Sequence, residues 1–326
     1  MEKIKKILAM VLSVALLFSG MIFDNTVTKA DETNTWSGEA IISPEQNKLI
    51  GAGYIDIKWN NTLENVKQYK VYIDGTLKKT MSPSGDIMKF EFYTTNVKGY
   101  TEQIVAELKD NTVVKSDVRN FYVTKKGICV NRRDMGAAVD PASMNIGWYY
   151  DWDYKSLKDW NYKNKKFYDL EFVPMIWGDD SVDISKRCEY ANRKGYKYML
   201  SYNEPDLKGE SNKQPDTMRY RWNEMIDSKG SLRLGSPATE TFQINSDKWW
   251  TPFWNGLNQT QKNNMTFIAV HAYQHYYDNA DTALEYLHTI DEIYAKYKKP
   301  IWITEFAVAD SGNVFNPKNA KHNAQV

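Results

Sequence analysis

The chain has 326 residues, 42% hydrophobic and 25% charged, with 42 Lys and Arg against 41 Asp and Glu for a formal charge of +1. That length supports two domains with substantial cores, and the near-zero charge excludes an electrostatic drive toward nucleic acid or anionic membranes. Cys129 and Cys188 are the two cysteines; they are too few for a disulfide scaffold and read either as one pair or as two buried free thiols.

The first element is a basic lead, Met1-Glu2-Lys3-Ile4-Lys5-Lys6, then an apolar run from Ile7 to Phe18 and a small-residue site at Thr28-Lys29-Ala30. This order predicts a secretory signal peptide over residues 1–30, with an uncleaved anchor as the alternative. Cleavage after Ala30 removes four lysines and two acidic residues and takes the charge from +1 to −1. The expected localisation is secreted or cell surface, and the expected substrate is uncharged.

Residues 36 to about 124 carry short alternating runs. Examples are Tyr54-Ile55-Asp56-Ile57-Lys58-Trp59, Tyr69-Lys70-Val71-Tyr72-Ile73, Lys89-Phe90-Glu91-Phe92-Tyr93 and Ile104-Val105-Ala106-Glu107-Leu108. Period-two patterning broken at Asn60-Asn61, Asp74-Gly75 and Asp110-Asn111 predicts an all-β sandwich over residues 31–125. The Trp59 strand, the hairpin before Asp74-Gly75 and the closing Asn120-Phe121-Tyr122-Val123 strand resemble a fibronectin type III module, which implies a spacer or brace rather than a sugar binder. The join at Thr124-Lys125-Lys126-Gly127 has no Gly/Ser-rich or Pro-rich stretch, so the two halves are expected to pack together.

From Gly127 the rhythm changes. Candidate strands are Gly127 to Val130, Asn145 to Tyr150, Glu171 to Trp177, Tyr198 to Asn203, Leu232 to Ser236, Thr266 to Tyr273 and Pro300 to Phe306. Between them, Asp183 to Lys194 reads as a helix stopped at Gly195, and Pro215 to Ile226 as a helix opened by proline. Thr282 to Tyr297 reads as a helix with Leu284, Leu287, Ile290, Tyr294 and Tyr297 on one face. Strand alternating with helix predicts a parallel sheet, and seven strands point to an α/β fold of the (β/α)8 TIM-type barrel class over residues 126–326. A doubly wound sheet competes, but no Gly-rich phosphate turn follows the first strand.

Strands four and seven each end on a glutamate, in Ser201-Tyr202-Asn203-Glu204-Pro205 and Ile303-Thr304-Glu305-Phe306. Glutamate is depleted in strands and costly to bury unpaired, so two of them at C-terminal strand ends suggest a working pair. Two carboxyl groups are what glycosidic cleavage requires.

The segments Gly147-Trp148-Tyr149-Tyr150-Asp151-Trp152, Phe172-Val173-Pro174-Met175-Ile176-Trp177-Gly178, Asn203-Glu204-Pro205-Asp206, His271-Ala272-Tyr273 and Trp302-Ile303-Thr304-Glu305-Phe306 resemble, in that order, glycoside hydrolase family 128. The resemblance implies a retaining endo-β-1,3-glucanase acting on β-glucan polysaccharide or oligosaccharide. It implies Glu204 as acid/base, Glu305 as nucleophile, and Asn203 on the sugar 2-hydroxyl. It also implies His271 and Tyr273 beside the nucleophile, and Trp152 and Trp177 in the sugar-binding wall. Glu210-Ser211-Asn212 stands where the family commonly has Gln-Ser-Asn, and the family's eighth strand is expected beyond Val326, so the barrel reads as lacking its last strand here. The competing functions are hydrolysis of β-1,4-glucan, xylan or mannan, and a non-catalytic glycan-binding surface protein with a decayed barrel.

Other features read as structural. Asp206 is expected to cap the turn after Pro205, and Glu240 to be a solvated loop residue ahead of a subsite ligand. His271 and His275 have the spacing of a helical metal pair but fall in a strand run, so no metal is expected, nor a cofactor or protein partner. The Trp249, Trp250, Phe253, Trp254 and Leu257 stripe is expected to pack in the core. A monomer is expected.

Overall fold

The computed structural model describes residues 34–36, 40–132, 139–178, 181–240, 244, 248–275 and 279–309; the expected signal peptide lies outside them. Residues 34–124 form ten strands: β1 (Asn34–Thr35), β2 (Ile41–Ser43), β3 (Lys48–Gly51), β4 (Gly53–Asn60), β5 (Val66–Ile73), β6 (Thr76–Met81), β7 (Ile87–Thr94), β8 (Gly99–Leu108), β9 (Val113–Lys115) and β10 (Arg119–Thr124). β2, β4 and β7 make one sheet and the other seven strands make a second. Alternation decides what each strand buries. Ile55, Ile57 and Trp59 of β4 and Tyr69, Val71 and Ile73 of β5 are buried in one core with Ile104, Phe121 and Val123.

Gly127–Cys129 (β11), Trp148–Tyr150 (β12), Glu171–Phe172 (β13), Tyr198–Met199 (β14), Arg233–Gly235 (β15), Met265–His275 (β16) and Ile301–Ala309 (β17) follow. All pair in parallel and in chain order, with a Met175–Leu200 bridge joining the β13 and β14 segments. The sheet curls into an open half-barrel, tightly enough that the Tyr150 hydroxyl on β12 comes within 3.1 Å of the Thr304 carbonyl on β17. The third and fourth strands are shorter than the apolar runs suggest. Pro174 has no N–H to continue a ladder, so the segment beyond Phe172 keeps one bridge.

Helices α1 (Ile184–Lys194), α2 (Pro215–Ser228), α3 (Trp250–Asn255), α4 (Gln259–Asn264) and α5 (Asn279–Tyr297) cover the sheet. α1 begins where the Asp183 side chain accepts the Lys186 N–H and ends at Gly195 with φ 75°, a left-handed stop. Trp249, Trp250, Phe253 and Leu257 are buried between helices and sheet, as their spacing predicts. α5 differs from expectation: Thr282, Tyr286, Ile293 and Tyr297 are buried, whereas Leu284, Leu287 and Tyr294 are exposed. Neither cysteine is bonded; Cys188 is buried and Cys129 half-buried.

The β-sheet module closes the floor of the half-barrel, at the N-terminal strand ends. Trp302 stacks on Phe267 with centroids 4.2 Å apart and meets Tyr198 and Trp148, each at 5.0 Å. Below this plug, the Tyr54 N–H donates to the Tyr198 hydroxyl at 3.1 Å and Lys197 Nζ donates to the Tyr54 carbonyl at 2.8 Å. Gly53, at φ 127°, lies so close that a Cβ there would sit 2.2 Å from the Tyr198 hydroxyl. Arg233 lies over the Tyr54 ring at 3.6 Å and pairs with Glu91 at 2.6 Å. The two halves are packed, as the absence of a flexible join predicts.

Candidate active site

The C-terminal strand ends form the opposite, open face. Asn203 and Glu204 follow β14, where Asn203 bridges to Ala238 and the Glu204 N–H donates to the Ala238 carbonyl at 2.8 Å. Glu204 sits at φ 39°, in the left-handed region that non-glycine residues seldom enter. The Asn203 carbonyl accepts from the Ser211 hydroxyl at 2.5 Å. Gly178 lets this loop close: at φ 119°, a Cβ there would lie 2.4 Å from Ser211 Cβ.

β16 and β17 supply the other wall. Their register slips between Val270 and His271, which pairs His271 with Glu305. A regular strand points residues three apart to opposite faces. The slip lets Trp302 face the floor plug and Glu305 the cleft from the same strand. Tyr273, two residues after His271, comes to the same side.

Glu204 and Glu305 are 7% and 8% exposed, with His271 fully buried between them. His271 Nδ1 is hydrogen-bonded to Glu204 Oε1 at 2.7 Å, and Nε2 lies 3.5 Å from Glu305 Oε1. Glu305 accepts from the Tyr273 hydroxyl at 2.5 Å, the Trp152 indole N–H at 2.8 Å and the Tyr150 hydroxyl at 3.1 Å. Burial first, and then the charge of Glu305, push both phenols well above the ordinary tyrosine range, so each remains a donor. One oxygen or nitrogen from each of Glu204, His271 and Glu305 falls within 4.8 Å of the others, the group among the described residues best placed to hold a cation. His271 and His275 lie on one strand, where four residues span about 13 Å, too far for a shared ion.

The cleft is about 520 Å³ and is lined by Asn131, Trp152, Trp177, Asn203, Glu204, Leu207, Glu210, Glu240, Tyr273 and Glu305. All seven sequence-predicted site residues therefore converge, His271 from behind. Asp206 Oδ1 accepts the Glu240 N–H at 3.1 Å and ties two rim loops together. Two placements differ from expectation. Glu240 lines the cleft instead of standing in solvent. Tyr150, read only as part of a motif, bonds Glu305 directly; its sign in the sequence was a strand-end tyrosine two residues before Trp152. Beside it, the buried Asp151 carboxyl is pushed up to about 7 by desolvation, with Arg132 pulling the other way.

Residues 127–325 match the family described as glycosyl hydrolase catalytic core. The chain belongs to the glycosyl hydrolase catalytic core family. Among solved structures, this family member is similar to a subgroup I family 128 endo-β-1,3-glucanase from Amycolatopsis mediterranei in complex with laminaritriose, at 25% identity over 60% of this chain and 77% of that one, TM-score 0.47. It is also similar to a subgroup III curdlan-specific exo-β-1,3-glucanase from Blastomyces gilchristii in complex with glucose, at 23% identity over 57% and 76%, TM-score 0.43. A subgroup II endo-β-1,3-glucanase from Sorangium cellulosum matches at 22% identity over 61% and 80%, TM-score 0.44. No curated protein matches the chain.

Proposed function

We propose that this glycosyl hydrolase core is a secreted, retaining endo-β-1,3-glucanase. The observation that carries the reading is the approach of Glu204 and Glu305, whose oxygens come within 4.8 Å across a cleft walled by Trp152 and Trp177. Retention needs carboxyls about 5 Å apart, whereas inversion leaves room for a water at about 6.5–9.5 Å. The segments shared with family 128 support the β-1,3 linkage.

In this reading Glu305 attacks the anomeric carbon as Glu204 delivers its proton to the departing oxygen, and the glycosidic C–O bond breaks. Water then enters where the leaving sugar stood. Glu204 takes its proton, the C–O bond to Glu305 breaks, and both carboxyls return to their starting states. Tyr273, Trp152 and Tyr150 fix the Glu305 carboxylate in place by three donors. His271, hydrogen-bonded to Glu204 at 2.7 Å, orients the acid/base carboxyl. Asn203 meets the sugar 2-hydroxyl, and the indoles take the apolar faces of neighbouring rings. The layered β module acts as a fibronectin type III-like brace under the floor.

The test is digestion of a soluble β-1,3-glucan with the anomeric configuration of the first product followed by NMR. Oligosaccharides of retained configuration are expected, with β-1,4-glucan, xylan and mannan left intact. No release from β-1,3-glucan would overturn the reading. Secretion is checked separately, by a mature N-terminus at Asp31 in the culture medium.

A further inference from the structure

The cleft has more acid than hydrolysis needs. Besides Glu204 and Glu305, the carboxylates of Glu210 and Glu240 line it, and among the described residues no Lys or Arg does. Glu210 Oε2 accepts from Asn203 Nδ2 at 3.1 Å. A carboxylate can only accept, so the amide nitrogen must face it. The amide oxygen Oδ1 of Asn203, a residue 3% exposed, is left without a hydrogen-bond partner. The cleft thus carries four glutamates with no Lys or Arg lining it among the described residues. The acids also crowd one another. Desolvation and then the nearby charge of Glu204 raise Glu210, and desolvation, then Asp206 and Glu204, raise Glu240.

We infer that Glu210 and Glu240 are specificity-determining residues that select a β-glucan carrying a primary amine on a ring beside the cleavage point, and that they reject glucans bearing carboxylates. An ammonium supplies a positive charge to a wall whose described residues include no Lys or Arg. A uronic carboxylate adds another like charge and a further acceptor. The inference rests on the glucanase reading for the backbone of the substrate, and adds to it the chemistry of the ring substituent. Glu210 is the carboxylate standing where the related motif commonly carries an uncharged glutamine.

The test compares three ligands by calorimetry on the full chain carrying Glu204→Gln. They are laminarihexaose, its 6-amino-6-deoxy derivative and its 6-carboxyl derivative, at low and at high salt. The amino ligand is expected to bind about tenfold tighter than the neutral one and the carboxyl ligand about tenfold weaker, with both differences shrinking in salt. Adding Glu210→Gln with Glu240→Gln, isosteric changes, is expected to collapse the spread. Equal affinities for the three ligands, or a spread that survives the double change, would overturn the inference while leaving hydrolysis of neutral β-1,3-glucan by the unaltered chain intact. Preference for the amine without hydrolysis of neutral glucan would overturn the glucanase reading alone. Binding of none of the three would overturn both.

Discussion

Two buried glutamates, one in each half of the molecule, have opposite surroundings. Glu102 lies on β8 in the layered β module, 1% exposed, and neither carboxylate oxygen has a hydrogen-bond partner. Desolvation pushes it up to about 8, with Arg119 only partly offsetting the effect. Glu305 is nearly as deep but receives three donors from two segments of the half-barrel. Burial alone makes a carboxyl a liability; donors arranged around it make it usable. The half-barrel gathers its acids at strand ends where loops and neighbouring strands deliver donors, and Glu102, mid-strand in the layered β module, receives none.

The comparison breaks most sharply at Glu305. Glu305→Gln should lower kcat on β-1,3-glucan by at least about 10^3-fold while leaving the melting temperature nearly unchanged, because the amide still accepts through its oxygen. A large loss of stability would mean that Glu305 is structural. Glu102 should behave in reverse. Its raised value means that the folded chain keeps a proton up to about pH 8, which the unfolded chain gives up near the ordinary glutamate range. Stability from this group is therefore full below that range and declines as pH rises toward 8, by on the order of a few kcal/mol. Glu102→Gln should flatten that decline in chemical denaturation and leave the activity profile alone; an unchanged pH slope would count against the assignment.

Smaller effects probe the contact between the halves. Gly53→Ala sets a methyl against the Tyr198 hydroxyl at a left-handed backbone position, and should cost about 1–3 kcal/mol in a denaturation experiment. A neutral result would show that the floor yields easily. Glu91→Gln removes an ion pair with Arg233 whose members are 32% and 23% exposed, so less than about 1 kcal/mol is expected, fading in salt.

Much of this was legible in the chain, for identifiable reasons. Period-two runs mark one buried face per strand, so Ile55, Ile57 and Trp59 could be placed inward before any contact was known. The seven parallel strands were visible as apolar runs, and the pair Glu204 and Glu305 as carboxylates at their ends. α5 shows where periodicity stops informing. Its sequence carries two apolar stripes roughly 100° apart around the helix, one through Tyr286, Ile293 and Tyr297 and one through Leu284, Leu287 and Tyr294. Both have helical spacing, and only tertiary packing chooses between them. The slip between Val270 and His271 has no sequence signature either, although it aims Glu305. The cleft position of Glu240 and the contact of the buried Tyr150 with Glu305 depend on segments distant in order closing together.

The left-handed turn at Glu204 has a thermal consequence. The conformation is held by two contacts to Ala238, the Asn203 N–H on the Trp177 carbonyl, the Leu207 N–H on the Glu204 carbonyl, the clasp of Ser211 on Asn203 and the His271 bond to the Glu204 carboxyl. Such a mount, made of hydrogen bonds between loops, releases when those local bonds open together, before the sheets come apart. Warming should thus extinguish hydrolysis at temperatures where circular dichroism still reports an intact protein, and cooling should restore it.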